Sequence, residues 1–486
     1  MDRRRFLGLT AGVVSAPLWA GCEPGDDVGP PGDGLPSAPP PLDADALDGG
    51  QRAVLDVAAI PVDEATFPLG VQAGGMRGRA FTAWTRVPTP LTTTTLRLRV
   101  WRDVAADAAP AAQPGELVLV QDVVVVPGDE GTVKLVVDGL APSTWYRYAF
   151  FVDGDVGRSV IGRVRTAWAE DWLWPVTLGA TACTSPSLAP FATLQRMAEL
   201  PVDAFVHTGD MVYADGSRTA DEYRGHWERA LGDPGYRALL VQQGGYFAWD
   251  DHEFDNNVNP EEMPATQLQT AAAEFFAHTP MTPNADGGLW QSYVWGRTLE
   301  LIVLDCRTER RPSTRTTDRP VYIGDAQMAW LKDRLKNSPC RFKVVVNSVP
   351  MTRMPELWPP PDRWQGYAAQ RAEVLTFLQD EGIEDVWFLA GDFHVGFVGR
   401  VEPTGPLRRT WEVAVGPGGN LGNPLGFLAT QDDLREQVFP ADQFVYGRGE
   451  LAATTVTFDP LRGEVRVRFV DVDGGTLFDR VIDRST

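Results

Sequence analysis

A largely apolar run at residues 202–206 stops at His207-Thr208-Gly209-Asp210-Met211-Val212-Tyr213. A run of that length bounded by a turn reads as a buried strand, and Gly209-Asp210 ends it. A carboxylate at a strand end, with the Tyr213 phenol just beyond it, can aim two oxygens at a single cation. By itself Gly-Asp is more often a turn former or a helix cap. Three further segments change that balance, because each also ends a strand-like run in ligand chemistry.

Tyr246-Phe247-Ala248-Trp249 leads into Asp250-Asp251-His252-Glu253-Phe254-Asp255-Asn256-Asn257. Two adjacent carboxylates beside a histidine repel one another unless a cation offsets them; the plain alternative is a solvated acidic loop. In Leu389-Ala390-Gly391-Asp392-Phe393-His394, Asp392 and His394 are two apart. On an extended strand end such residues share a face, so both are expected to reach one metal centre. The run at 176–182 closes on Cys183. Alone, Cys183 would be a small buried hydrophobe; beside the other three segments it is a candidate thiolate ligand, given a metal to lower its pKa.

The chain around these segments changes character near residue 170. Between 65 and 168, Leu96, Leu98 and Val100, then Val133, Leu135 and Val137, then Tyr146, Tyr148 and Phe150 recur at period two between Pro/Gly turns. This predicts a small β-sandwich. From 174 onward strand-like runs (176–183, 299–304, 342–346, 385–389) alternate with helical stretches (189–200, 265–278, 325–337, 368–381), and Val465, Val467 and Phe469 alternate again near the end. The expected fold class is α+β, a fibronectin-like β-sandwich over 61–168 followed by a layered α/β domain over 172–486. No Gly-rich phosphate loop is present, since Gly416-Pro417-Gly418-Gly419 lacks a following lysine.

Charge and address bound the partners. With 65 acidic against 44 basic residues the net charge is −21, which argues against nucleic acid as a partner. Arg3-Arg4-Arg5 ahead of the mildly apolar run 8–20 is similar to a twin-arginine export signal, and Leu18-Trp19-Ala20-Gly21-Cys22 resembles a lipoprotein cleavage box, so residues 1–22 are expected to be an address and Cys22 a lipid attachment point. A periplasmic or cell-surface location follows from that reading. Residues 23–60 include a Pro/Gly/Asp-rich stretch expected to act as a solvated tether. An oxidising compartment permits a disulfide, with Cys306 and Cys340 the one pairing considered.

Gly-Asp-x-x-Tyr at 209–213, Trp-Asp-Asp-His-Glu at 249–253 and Gly-Asp-x-His at 391–394, in that order, resemble the alkaline phosphatase D (PhoD-like) family of the calcineurin-like metallophosphatases. The resemblance extends to Phe67-Pro68-Leu69-Gly70-Val71, Ala83-Trp84-Thr85-Arg86, Tyr223-Arg224, Leu304-Asp305-Cys306-Arg307 and residues 367–371. It implies an α/β/β/α metallophosphatase core holding a ferric ion and calcium. Asp210 would bridge the two, with Cys183, Tyr213 and His394 completing the iron side. Asp392, with a ligand from the loop that carries Asp251 and Asn256, would face calcium. Thiolate, phenolate and imidazole suit iron, and hard oxygens suit calcium. His252 would hold the phosphoryl group and protonate the leaving oxygen, and Arg307 is either a phosphate partner or a surface ion pair. Two departures from the superfamily pattern remove nitrogen ligands: Asn347-Ser348-Val349-Pro350 stands where a metal-binding histidine is usual, and Asp392 replaces another.

The implied activity is metal-dependent hydrolysis of small phosphate esters, a cation-acidified water attacking phosphorus in line and releasing phosphate. A phosphodiesterase or phospholipase-like activity needs the same residues in a wider cleft. A surface-anchored glycan-binding protein with a non-catalytic metal domain is the alternative of another class.

Overall fold

The computed structural model describes residues 55–483 apart from 89–92, 104–114, 127–130, 360, 421–422 and 430. The expected export segment, Cys22 and most of the tether lie outside the described residues. Where the tether enters the structure it is partly buried: Val57 and Ile60 pack against Trp101, Ala149 and Phe151, while Asp56, Ala58 and Ala59 stay exposed.

The strands that position the site belong to two large sheets. One runs, edge to edge, through Thr476–Ile482, Glu464–Val470, Ala453–Asp459, Val176–Thr184, Ala204–His207, Gly245–Phe247, Val71–Arg77, Ala80–Arg86 and Thr132–Val137, with Pro417–Gly419 also pairing to Val176–Thr184. The other runs through Gln291–Trp295, Leu299–Val303, Phe342–Val346, Val386–Ala390, Trp411–Ala414, Gly396–Arg400 and Phe444–Arg448. Its middle strands are parallel and buried on both faces, which is why 299–303 and 342–346 read as near-continuous apolar runs. Alternate residues then part company. Leu301, Val303, Val344 and Val346 join Leu178, Ala180 and Val206 in one core. Ile302, Val345 and Phe388 pack outward on Met328, Leu331 and Leu335 of Asp325–Asn337 and on Val374, Leu375 and Leu378 of Ala368–Asp380. Helices Ala192–Glu199 and Pro234–Gln242 bring Leu194, Met197, Leu239 and Leu240 to the first core. The result is the layered α/β/β/α arrangement.

The N-terminal β region differs from a free-standing sandwich. One of its sheets is separate and four-stranded: Glu116–Val125, Thr94–Arg102, Trp145–Val152 and Gly162–Arg165. The other is the end of the first large sheet, because Val71–Arg77 pairs in parallel with Gly245–Phe247 at Gly74 and Gly245. The alternation at 145–151 reflects no solvent face: Tyr146 to Phe151 are all buried. Arg147 survives there through an ion pair to Asp103 at 3.2 Å.

Cys306 and Cys340 are not paired. Both thiols are free and buried; the Cys306 thiol donates to Asn347 Oδ1 at 3.0 Å and that of Cys340 to the Gly296 carbonyl at 3.4 Å. Burial keeps both neutral by pushing their pKa up.

The buried helix end at His278 gives a pH prediction. His278 stacks on Trp227 with centroids 5.7 Å apart, and its Nε2 meets the Arg86 guanidinium. Burial, with Arg86 beside it, lowers its pKa from 6.5 to about 3. A base whose folded pKa is depressed adds stability above its unfolded pKa and loses it as pH falls from 6.5 toward 3. The expected slope is about 1.4 kcal/mol per pH unit at most, with buried His207 acting in the same direction. His278→Gln is expected to flatten that slope in urea unfolding between pH 7 and pH 4; an unchanged slope would remove His278 from the account.

Candidate metal centre

Four strand ends converge. Cys183 is the penultimate residue of Val176–Thr184, while Ala204–His207 and Gly245–Phe247 of the same sheet, and Val386–Ala390 of the other, lead into ligand-bearing turns. Three groups of side chains there have ligand atoms within 4.8 Å of one another: Cys183 with Asp210 and His394; Asp210 with Asp251 and His252; Asp250 with Asp251 and Asp392. Asp210 and Asp251 each belong to two groups. Tyr213 joins the first, its Oη 3.4 Å from His394 Nε2 and accepting from Asn420 Nδ2 at 2.9 Å.

The backbone is bent to achieve this. Cys183, Asp210, Asp392 and His394 have φ of 57°, 59°, 65° and 53°. Such left-handed residues cost of order 1 kcal/mol each and are held only where surrounding contacts insist. This changes the outcome for Asp392 and His394. They do not share the face of an extended strand; the positive φ values separate them, sending His394 to Cys183 and Asp210 and Asp392 to Asp250 and Asp251. Gly209 has φ 128°, and a Cβ there would stand 2.4 Å from Asp250 Cβ, so only glycine lets the Asp210 and Asp250 turns approach.

Glu253 ties those turns together. Its carboxylate accepts from the amides of Asp210 at 3.0 Å, Met211 at 2.6 Å and Asp250 at 2.8 Å. His252 is held by a residue that the sequence did not single out. Its Nδ1 lies 2.8 Å from Asp215 Oδ1, which leaves Nε2 as the open ring nitrogen, and its ring lies 4.0 Å from that of Tyr213. No local signal marks Asp215, since its partner lies 37 residues on.

Asn256 and Arg307 are corrections. Asn256 is exposed and accepts from Asn257 Nδ2 at 3.2 Å, so the loop's inward carboxylates are Asp250 and Asp251. Arg307 is no surface ion pair and has no free edge for phosphate. It is fully buried and reaches four carboxylates: Asp250 through Nε, Asp362 through Nη1, and Asp251 at 3.4 Å and Asp392 at 2.9 Å through Nη2. Asn347, where the superfamily places a histidine, accepts from Trp364 Nε1 at 2.8 Å and from Cys306.

The charge balance invites cations. Burial, then the neighbouring carboxylates, pushes the pKa of Asp210 well up, and burial heads the causes for Asp392 and Asp250 as well. Burial also pushes up the Cys183 thiol and the Tyr213 phenol, with Asp210 adding to both. Asp251 moves down, because Arg307 and His252 outweigh its burial. Asp250 Oδ2 is buried with no hydrogen-bond partner among the described residues, which is costly without a cation. Sulfur, imidazole and phenol gather around Cys183, His394 and Tyr213, carboxylates alone around Asp250 and Asp392, and Asp210 with Asp251 and His252 lies in a third group.

Comparison with known proteins agrees with this architecture. Residues 178–454 match the family model "PhoD-like phosphatase", and residues 54–168 match "PhoD-like phosphatase, N-terminal domain". Alkaline phosphatase D of Bacillus subtilis (strain 168) is 24% identical over 387 residues, covering 68% of this chain and 65% of that protein, so the match spans just under two thirds of the relative's length. Among solved structures, that of PhoD superposes with a TM-score of 0.74 at 19% identity over 88% of this chain and 90% of the other. The purple acid phosphatase PPD1 from yellow lupin seeds gives 0.57 at 13% identity, over 86% of this chain and 74% of the other. With more than half of its length matched by the "PhoD-like phosphatase" model, and strand-end ligands converging between two facing sheets, this chain belongs to the PhoD-like phosphatase family.

Proposed function

We propose that this chain is a metal-dependent phosphoesterase that hydrolyses small phosphate esters and releases phosphate. The observation that carries the reading is the convergence of three ligand groups through Asp210 and Asp251, one of which includes His252, itself backed by Asp215. Cys183, Tyr213, His394 and Asp210 would hold a ferric ion; Asp250, Asp251 and Asp392 would hold calcium. When bound, the two cations supply a nucleophile at neutral pH and neutralise charge on the phosphoryl oxygens. The chain's own contribution is positional. Glu253 holds the Asp210 and Asp250 turns at fixed separation, Asp215 fixes the imidazole of His252, and the open Nε2 donates a proton to the leaving oxygen. Export of the folded chain, proposed from Arg3-Arg4-Arg5 and the apolar run behind them, would place that chemistry outside the cytoplasm.

The reading is tested by phosphate release from an aryl phosphate and from a bis-aryl phosphate, with metal-replete and chelator-stripped protein. Release from the monoester, lost on stripping and regained with iron and calcium, is expected. No release from either ester by replete protein would end the proposal, and faster release from the diester would move it to a phosphodiesterase.

Asp215 makes a sharper prediction. Burial opposes a charge on His252, but the hydrogen bond to Asp215 and the charges of Asp251, Asp215 and Asp250 outweigh it and raise its pKa. A general acid must be protonated, so kcat should fall as pH rises through that raised value. Asp215→Asn removes a carboxylate that favours the charged ring. The alkaline limb of the kcat profile should therefore move to lower pH, with kcat reduced about tenfold near neutrality. A profile that keeps its limb would show that Asp215 does not position the acid.

A further inference from the structure

Beside Tyr213, toward the helix Ala220–Leu231, lies a cavity of about 230 Å³ that the phosphoryl site does not use. Phe191, Pro186 and Val212 give it apolar walls, and His226 and Arg229 stand on one side. Those two are three apart on one helix and so share a face. Arg229 is exposed and makes no ion pair among the described residues. That is unusual company in a chain of net charge −21, where Arg307 alone engages four carboxylates. The cavity wall also holds a carboxylate, Asp233, turned to the backbone at the start of Pro234–Gln242, where its Oδ1 accepts from the amides of Gly235 at 2.7 Å and Phe191 at 3.2 Å. Asp215, the acidic neighbour of His226, is held by His252. Burial and Arg229 keep His226 below its ordinary pKa, which leaves Arg229 as the cavity's fixed positive charge. Tyr213 is the common wall: it lines the cavity and lies ring against ring with His252 at 4.0 Å.

We propose that this cavity is a leaving-group subsite, which selects phosphate esters whose alcohol has a short apolar body ending in a negative charge. The apolar walls take the body and Arg229 takes the anion. The proposal rests on the phosphoesterase reading and names its substrate class.

The test compares 4-(carboxymethyl)phenyl phosphate with 4-methylphenyl phosphate, two esters of the same phosphoryl group whose leaving phenols differ chiefly by the remote carboxylate. Wild-type protein is expected to favour the carboxymethyl ester about tenfold in kcat/KM. Arg229→Gln should abolish the preference while leaving the methyl ester unchanged, and Arg229→Glu should reverse it. An equal preference in wild type and Arg229→Gln would overturn the proposal. Calorimetric binding of the product 4-hydroxyphenylacetate against 4-methylphenol gives a readout without turnover. If neither ester is hydrolysed but the acid binds in an Arg229-dependent way, the subsite stands and the phosphoesterase reading falls. If neither hydrolysis nor Arg229-dependent binding is seen, both fall.

Discussion

His252→Ala is expected to lower kcat on an alkyl phosphate by 10²- to 10⁴-fold, roughly the share of a positioned general acid, while bound metal and the fold stay unchanged. The prediction follows from the two ring nitrogens doing different work. Nδ1 is taken by Asp215 at 2.8 Å, so the proton to be given away sits on Nε2. The ring packs against Tyr213 at 4.0 Å, and truncation removes little else, because the turn is held by Glu253 through three backbone amides. The loss should depend on the leaving group. An alkoxide cannot depart without a proton, whereas a nitrophenolate can, so a nitrophenyl ester should lose much less. Steady-state kinetics on both esters, with iron and calcium measured on the same protein, decide the matter. An equal loss on both esters would mean that His252 grips the phosphoryl group and gives no proton. No loss on either would remove it from the reaction.

Much of this was readable in the chain because the relevant signals are local. Near-continuous apolar runs mark the middle strands of the second sheet, and helices Ala265–His278 and Asp325–Asn337 begin and end where the helical stretches 265–278 and 325–337 do. Two helices at the edge of the site went unremarked although their start signals are present. Thr219 and Glu222 form a reciprocal cap for Ala220–Leu231, with Thr219 Oγ1 accepting from Glu222 N at 3.3 Å. Asp233-Pro234 opens the helix Pro234–Gln242, with Asp233 accepting from Gly235 N.

What could not be read locally was direction and long-range pairing. The two-residue spacing of Asp392 and His394 presumed an extended backbone, and left-handed φ values sent the two side chains to different groups. The boundary near residue 170 is a change of pattern in sequence but not a break in the sheet, because Gly74 pairs with Gly245 across it. The adjacent carboxylates of Asp250 and Asp251 demand positive charge. Part of the supply comes from the chain itself, through Arg307, at a separation of 57 residues from Asp250. The apolar run 299–304 just ahead of Arg307 hinted that this arginine is carried inward, but a strand that ends in a charged residue usually delivers it to solvent.

Arg307→Gln is therefore expected to be the most damaging single change to stability, costing roughly 3–5 kcal/mol in metal-free protein. The guanidinium is fully buried and its donors fork to Asp250, Asp251, Asp362 and Asp392. Its removal leaves Asp250, Asp251 and Asp392 facing one another, with Arg310 still paired to Asp362 alone, and one oxygen of Asp250 has no partner among the described residues. Arg307→Lys should not rescue the loss, because a point charge on a flexible stem cannot reproduce a planar fork to four partners. A divalent cation should. Asp251 and Asp392, which share Nη2, also belong to the all-carboxylate group, so calcium and the guanidinium answer the same charge. Calcium is therefore expected to raise the melting temperature of Arg307→Gln by more than it raises that of wild type. Thermal unfolding of both proteins, stripped and with calcium added, reads this directly. A stripped variant as stable as wild type would show that the carboxylates shed their charge by taking up protons. A variant that is unstable and gains no more from calcium than wild type would show that the Arg307 cluster and the cation site are independent.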